Sequence, residues 1–183
     1  MATIIFDFDD TLFNTKKLKE DIFSELVSHG IDRIIIKKTY KECRDNYCIS
    51  KHIEILKRNN LHVPNSFLSW FSSFNLKNYL FPTTIRNLEK LSKNNYLVLL
   101  TKGDLEFQDI KIKGSKISKY FKEIHITQKN KEEFLKNKRY SYPVYFINDK
   151  ELENKKIKKA FPKIIIKQKK GEAISAISFL GRA

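Results

Sequence analysis

Cysteine is nearly absent from this sequence: Cys43 and Cys48 are the only two. Both are read as part of one helical stretch, where their spacing points the side chains in different directions and gives no disulfide framework. Two cysteines with few neighbouring histidines also fall short of a structural zinc site, so reduced, partly buried thiols are expected. No apolar run approaches the roughly 18 residues that a membrane span needs. The start, Met-Ala-Thr-Ile-Ile-Phe, turns acidic at Asp7 and lacks the basic, long apolar and small-residue parts of a signal peptide, so a cytoplasmic protein is expected. Internal repeats and low-complexity linkers are missing as well.

Arginine is scarce too, with 6 residues against 30 lysines. This tempers the formal net charge of +15. A strongly basic chain attracts phosphorylated or nucleic-acid partners through its field, but arginine is the better bidentate reader of phosphate. Lysine, isoleucine and asparagine are residues that AT-rich codons favour, and the lysines are spread along the chain without aromatic companions. A solvated basic surface is the preferred reading and a nucleic-acid patch its rival.

What is present is enough to build a core: 183 residues, of which 41% are hydrophobic, fit one α/β domain carrying an insertion. Short apolar runs at residues 3–8, 96–100, 144–147 and 164–166, with a shorter one at 125–126, have the look of buried parallel strands. Between them, helical spacing appears behind Pro82, expected in a first helical turn, at Ile85, Leu88 and Leu91. Further helices are expected over 131–137, 151–160 and 171–180. Alternating strands and helices imply a doubly wound parallel sheet covered on both faces, with sites at the carboxyl ends of its strands. Residues 14–81 break the alternation. Leu18, Ile22, Phe23 and Leu26 mark one amphipathic helix; Tyr40, Cys43, Tyr47, Ile53 and Leu56 mark a second, interrupted near Ser50; Phe67, Trp70, Phe71 and Phe74 mark a third, opened by Asn65 as its cap. The expected division is therefore a core of residues 1–13 and 82–183 and a small all-helical insertion of residues 14–81.

Three of the strand ends carry chemistry. The first run ends in Phe6-Asp7-Phe8-Asp9-Asp10-Thr11. The period of a strand puts Asp7 and Asp9 on one face. Two adjacent carboxylates resist joint ionisation unless a cation lies between them or one keeps its proton. A site for a hard cation, or an acid beside a nucleophile, results from either outcome. The second run ends in Thr101-Lys102-Gly103-Asp104 and the third in Asn148-Asp149.

These segments resemble the motifs of the haloacid dehalogenase superfamily, mostly phosphatases. Asp7-Phe8-Asp9-Asp10-Thr11 is similar to the signature motif, Leu99-Leu100-Thr101-Lys102-Gly103-Asp104 to the second, Lys129 to the lysine of the third, and Phe146-Ile147-Asn148-Asp149 to the fourth. The resemblance covers essentially the whole chain and makes residues 14–81 a helical cap. It implies that Asp7 attacks phosphorus to form an aspartyl-phosphate and that Asp9 serves as acid and then base. It implies magnesium held by Asp7, Asp149 and the Asp9 carbonyl, phosphoryl oxygens bound by Thr101 and the amides near Lys102 and Gly103, and charge offset by Lys129. The expected activity is magnesium-dependent hydrolysis of a small soluble phosphate monoester. The rivals are a nucleic-acid end-processing phosphatase and a non-catalytic binding protein of the same fold.

Several choices stay open at this level. Lys131 competes with Lys129, which is preferred because it lies closer to the preceding strand. Glu153 and Asn154 both fall where an outer metal partner is expected, Thr101 could cap a helix beginning after Gly103, and Asp10 reads as a turn residue. Arg44, Tyr47, Lys51 and His52 are candidate cap contacts. Neither the particular phosphate ester nor the oligomeric state is legible.

Overall fold

Alternate residues of the first apolar run face opposite sides of a sheet, and both sides are covered. The computed structural model describes residues 1–169. Its five strands are β1 Thr3–Phe6, β2 Tyr96–Lys102, β3 Glu123–Thr127, β4 Val144–Asn148 and β5 Ile165–Gln168. All neighbouring pairs run parallel in the order β3-β2-β1-β4-β5, so β1 is central. Ile4 and Phe6 join one apolar cluster with Leu97, Leu99 and Ile147. Ile5 joins the opposite cluster with Val98, Leu100 and Phe146. This two-sided burial is why the strands read as continuous apolar runs.

The second face is closed by α7 (Lys131–Leu135) and α8 (Glu151–Ala160), whose Leu135 and Ile157 pack with Ile5. The first face receives α5 (Thr84–Ser92), α6 (Leu105–Gly114) and the insertion. The insertion holds α1 (Thr15–Ser28), α2 (Arg33–Cys43), α3 (Ile49–Arg58) and α4 (Asn65–Ser72). Its entering and leaving segments are tied together: Asn14 N–H donates to the Tyr79 carbonyl at 2.7 Å, and Phe81 N–H to the Leu12 carbonyl at 3.0 Å. Leu18, Ile22 and Phe23 of α1 belong to the same cluster as Phe6 and Leu99, so insertion and sheet share one core. No helix among the described residues is long and apolar enough to cross a membrane.

Local expectations needed four corrections. The second helix of the insertion is two helices, parted by the 3₁₀ turn Arg44–Asn46 and ended before Ser50 is reached. Cys43 thus ends α2 and Cys48 precedes α3 at its cap position, both as free thiols. Asn65 is the first residue inside α4 and makes no capping bond, because Pro64 occupies the cap position. Pro82 precedes α5 instead of forming its first turn. The helix expected over 171–180 lies outside the described residues.

The chain leaves β2 through a capped helix start. Asp104 caps α6, its Oδ1 accepting the Phe107 N–H at 2.9 Å. Replacing such a cap by alanine costs about 1 kcal/mol. Asp104→Ala is therefore expected to lower stability by that amount in urea denaturation with an unchanged slope; no change would mean that the cap contributes nothing to the fold.

Candidate active site

The register of the sheet gathers the site. Phe6 is level with Leu99 of β2 and Ile147 of β4, so Asp7, Thr101 and Asp149 emerge within a residue or two of one another at the carboxyl edges of adjacent strands. Asp7 has the parity of Ile5 and points toward the face covered by α7 and α8. It is 1% exposed. Lys131, the first residue of α7 and equally buried, reaches it there: Nζ lies 2.7 Å from Asp7 Oδ1 and 2.8 Å from Glu153 Oε2. Two carboxylates outweigh the burial that would lower the Lys131 pKa and hold it above its ordinary value. For Asp7 the balance goes the other way. Burial dominates over Lys131 and Lys150 and raises its pKa to about 6. The pocket around Asp7 is thus short of positive charge.

This corrects the preference for Lys129. That residue lies in the loop before α7, and its side chain is exposed. Sequence distance to the strand favoured it, but the facing side of α7 decides the matter. Lys131 and Leu135 are four apart and share the buried face of the helix. Glu153 faces the same lysine and also accepts from Asn148 Nδ2 at 3.0 Å. Asn154 is turned to the Asn148 side chain, accepting from its Nδ2 at 3.2 Å.

Three buried polar atoms around Asp7 have no hydrogen-bond partner among the described residues: Asp7 Oδ2, Thr101 Oγ1 and Asn148 Oδ1. Each such group costs on the order of 1–3 kcal/mol, so a native site leaves them unmatched only where something else supplies partners. Thr101 is not a helix cap, since Asp104 fills that role. Asp149 is fixed by Thr11, whose Oγ1 accepts the Asp149 N–H at 3.1 Å and donates to Asp149 Oδ1 at 3.4 Å. Burial raises the Asp149 pKa. No group of three or more His, Cys, Asp or Glu side chains converges among the described residues. A cation here would therefore take two carboxylates, a backbone carbonyl and several waters, a donor set of oxygens that suits magnesium. The free Asp7 oxygen and the local shortage of positive charge fit such an ion.

Asp9 has more partners than the sequence suggested. Lys111 Nζ lies 2.5 Å from its Oδ1, Gln108 Nε2 donates to its Oδ2 at 2.6 Å, and the Thr15 hydroxyl donates to Oδ1. Burial alone would raise the Asp9 pKa, but Lys111, Thr15 and Gln108 overcome it and hold the carboxyl below its usual value. Lys111 is itself buried, with the rings of Phe8, Phe13 and Phe107 at 5.4, 5.6 and 5.1 Å from its ammonium. Sequence reasoning missed Lys111, Gln108 and Thr15. The only signal was spacing: Phe107 and Lys111 are four apart on α6, and Gln108 comes one turn after Asp104.

The loop after β2 binds differently from the expectation. The Gly103 N–H donates to the Thr127 carbonyl at 3.1 Å and is not free for a phosphate. The glycine instead makes room, since a Cβ there would stand 2.7 Å from Gln108 Nε2. The Lys102 side chain is exposed and donates to Asn130 Oδ1 at 2.9 Å. Asp10, at φ 54, is a turn residue whose Oδ1 accepts the Lys16 N–H. A cavity of about 520 Å³ opens beside Asp9 between α6 and the insertion. Arg44 and Tyr47 line it, His52 is buried behind Tyr47, and Lys51 is exposed away from it.

These charges can be tested one at a time. Lys131→Met leaves buried Asp7 and partly buried Glu153 uncompensated and is expected to cost about 3 kcal/mol. Lys129→Ala should stay within about 0.5 kcal/mol; equal effects in denaturant titrations would contradict the placement. A second test concerns pH. Asp7 moves from an ordinary 3.8 to about 6 in the fold, so between these values the folded chain keeps a proton that the unfolded chain releases. Metal-free stability should therefore fall as pH rises through that window, by roughly 3 kcal/mol at most. Asp7→Asn should lack that component, so the two melting-temperature profiles should converge at low pH; parallel profiles would contradict it.

Comparison with known proteins bears on the fold and the family. A comparison with curated proteins gave no match. Among solved structures, one described as a haloacid dehalogenase-like hydrolase from Burkholderia xenovorans aligns with a TM-score of 0.72 at 19% identity, over 90% of this chain and 82% of that one. An enzyme of the same family from Bacteroides thetaiotaomicron, an aspartate-to-alanine variant in complex with magnesium and inorganic phosphate, gives 0.67 at 15% identity, over 97% and 98%. A structure described as a phosphatase, from Clostridium difficile, gives 0.57 at 20%, over 98% and 97%. These likenesses show the fold. The sequence itself matches the family described as haloacid dehalogenase-like hydrolase over residues 4–140, which is most of its length, and the chain belongs to that family.

Proposed function

We propose that this hydrolase is a magnesium-dependent phosphatase acting on a small soluble phosphate monoester through an aspartyl-phosphate on Asp7. The observation that carries the reading is the set of three buried polar atoms unpartnered among the described residues, Asp7 Oδ2, Thr101 Oγ1 and Asn148 Oδ1, at the edges of β1, β2 and β4. A phosphoryl group with a hydrated cation supplies what each lacks. Thr101 would donate to a phosphoryl oxygen, the Asp7 carboxylate would serve the cation and the phosphoryl group, and Asn148 Oδ1 would accept from water. Asp7, Asp149 and the Asp9 carbonyl would hold magnesium, which when bound offsets the charge of the phosphoryl group. The relative that holds magnesium and inorganic phosphate supports that choice.

In the first step an Asp7 oxygen forms a bond to phosphorus and the ester P–O bond breaks, with Asp9 giving its proton to the leaving oxygen. In the second, Asp9 takes a proton from water, the water oxygen attacks phosphorus, and Asp7 is released with phosphate. Lys131 holds the nucleophile in place and spreads its positive charge over the transition state, the part first assigned to Lys129. Despite its burial, the Asp9 carboxyl is held below its usual value by Lys111, which favours the base form that the second step needs. To serve in the first it must gain a proton, and Lys111 must yield to the incoming substrate. In this reading residues 14–81 are a cap over a core of residues 1–13 and 82–183, and a cavity of about 520 Å³ suits a small ester better than a nucleic-acid end.

Asp7→Asn is expected to lower turnover at least about a thousandfold while keeping the fold, and a chelator should abolish wild-type activity until magnesium returns. Thr101→Val is the sharper test. It removes an unmatched buried hydroxyl, so the melting temperature should hold or rise while kcat/KM falls by about tenfold or more. A variant that loses stability but not activity would place Thr101 in the fold and outside the site.

A further inference from the structure

The mechanism uses one end of the cavity and leaves its other wall unexplained. There Tyr40 and Tyr47 of the insertion meet Phe107 of α6, with ring centroids 5.2 Å apart for Tyr40 and Tyr47 and 5.4 Å for Tyr47 and Phe107. The two cations that the insertion contributes to this wall are only weakly matched. Lys19 Nζ lies 3.7 Å from Glu20, which Arg33 also holds, and Arg44 Nε lies 3.6 Å from the exposed Asp45. The wall is thus aromatic with a residual positive charge.

Behind Tyr47 the hydrogen bonds fix one polarity. The Thr39 hydroxyl donates to the Ile35 and Ile36 carbonyls at 3.0 and 3.1 Å, so it can only accept from His52 Nε2 at 3.0 Å. That assignment leaves His52 Nδ1 with its lone pair, accepting from the Tyr47 hydroxyl at 3.4 Å. Burial supports it, because it lowers the His52 pKa to about 4 and keeps the ring neutral near pH 7. The Tyr47 proton is spent inside the protein, and that bond fixes the ring that lines the cavity.

Resting on the phosphatase reading above, we infer that the Tyr40–Tyr47–Phe107 corner is the leaving-group subsite and takes a planar aromatic ring. The substrate is then a phosphate monoester whose leaving group carries a planar aromatic ring, as a nucleoside monophosphate does, and not the monoester of a simple polyol. Ring stacking on aromatic side chains gives the preference, and the bond to His52 holds the Tyr47 ring in place.

The test has two arms. With magnesium, kcat/KM for a purine nucleoside monophosphate should exceed that for glycerol phosphate by about tenfold or more, and Tyr47→Leu should bring the ratio toward unity. Tyr47→Phe, which keeps the ring, should retain part of the preference and guards against a folding defect in the leucine variant. In the second arm the free purine nucleoside, without phosphate, is titrated calorimetrically into wild-type protein, a readout independent of turnover. Saturable binding weakened by Tyr47→Leu is expected. Hydrolysis of glycerol phosphate with no preference for the nucleotide, and no nucleoside binding, would overturn the subsite and leave the phosphatase reading standing. Failure to hydrolyse any monoester, p-nitrophenyl phosphate included, would contradict the phosphatase reading, while nucleoside binding would still decide the subsite.

Discussion

A buried lysine shared by two carboxylates is the constraint on which the rest of the site depends. Taking Asp7, Lys131 and Glu153 out of water is expensive, and only their mutual geometry offsets it. The geometry needs Asp7 at the end of the central strand, Lys131 at the first turn of α7 and Glu153 in the first turn of α8, all on one face of the sheet. The triad carries one positive and two negative charges. Burial would raise the pKa of both acids, but Lys131 outweighs it at Glu153, which is held below its ordinary value, whereas Asp7 is pushed up. The deficit falls on the residue proposed as nucleophile, where a divalent cation would relieve it.

On the other side of the strand end, the second carboxylate is governed by separate partners. Lys111 and Gln108 come from α6, and Thr15 opens α1, so Asp9 is where core and insertion touch the same group. The two aspartates, two residues apart in sequence, therefore have opposite electrostatics: Asp7 disfavours its charge and Asp9 favours it. Division of labour between nucleophile and proton carrier needs such a difference, because two adjacent carboxylates in one environment would titrate as a pair.

How much of this was legible depends on the periodicities involved. The strands were readable because both faces are buried, which turns each into an apolar run ending in Asp7, Thr101 or Asn148-Asp149. The helical insertion was readable from its aromatic spacing, although the break at Arg44–Asn46 carries no proline or glycine to announce it. Lys131 was harder, since the choice among neighbouring lysines depends on which one shares a helix face with Leu135. Lys111 was not found at all. A buried lysine surrounded by phenylalanines defies the ordinary reading of lysine as a surface residue, and in a chain with 30 lysines nothing local sets it apart. The Gly103 amide is a similar case, because its bond to the Thr127 carbonyl depends on the pairing of β2 with β3.

The most direct measurement of the central claim is to trap the covalent intermediate. Rapid acid quench during turnover of a radiolabelled aryl phosphate, with peptide mapping afterwards, should place the label on the peptide carrying Asp7, in a form released by hydroxylamine as an acyl phosphate requires. Turnover with no label above an Asp7→Asn control, or label on any other residue, would contradict the account.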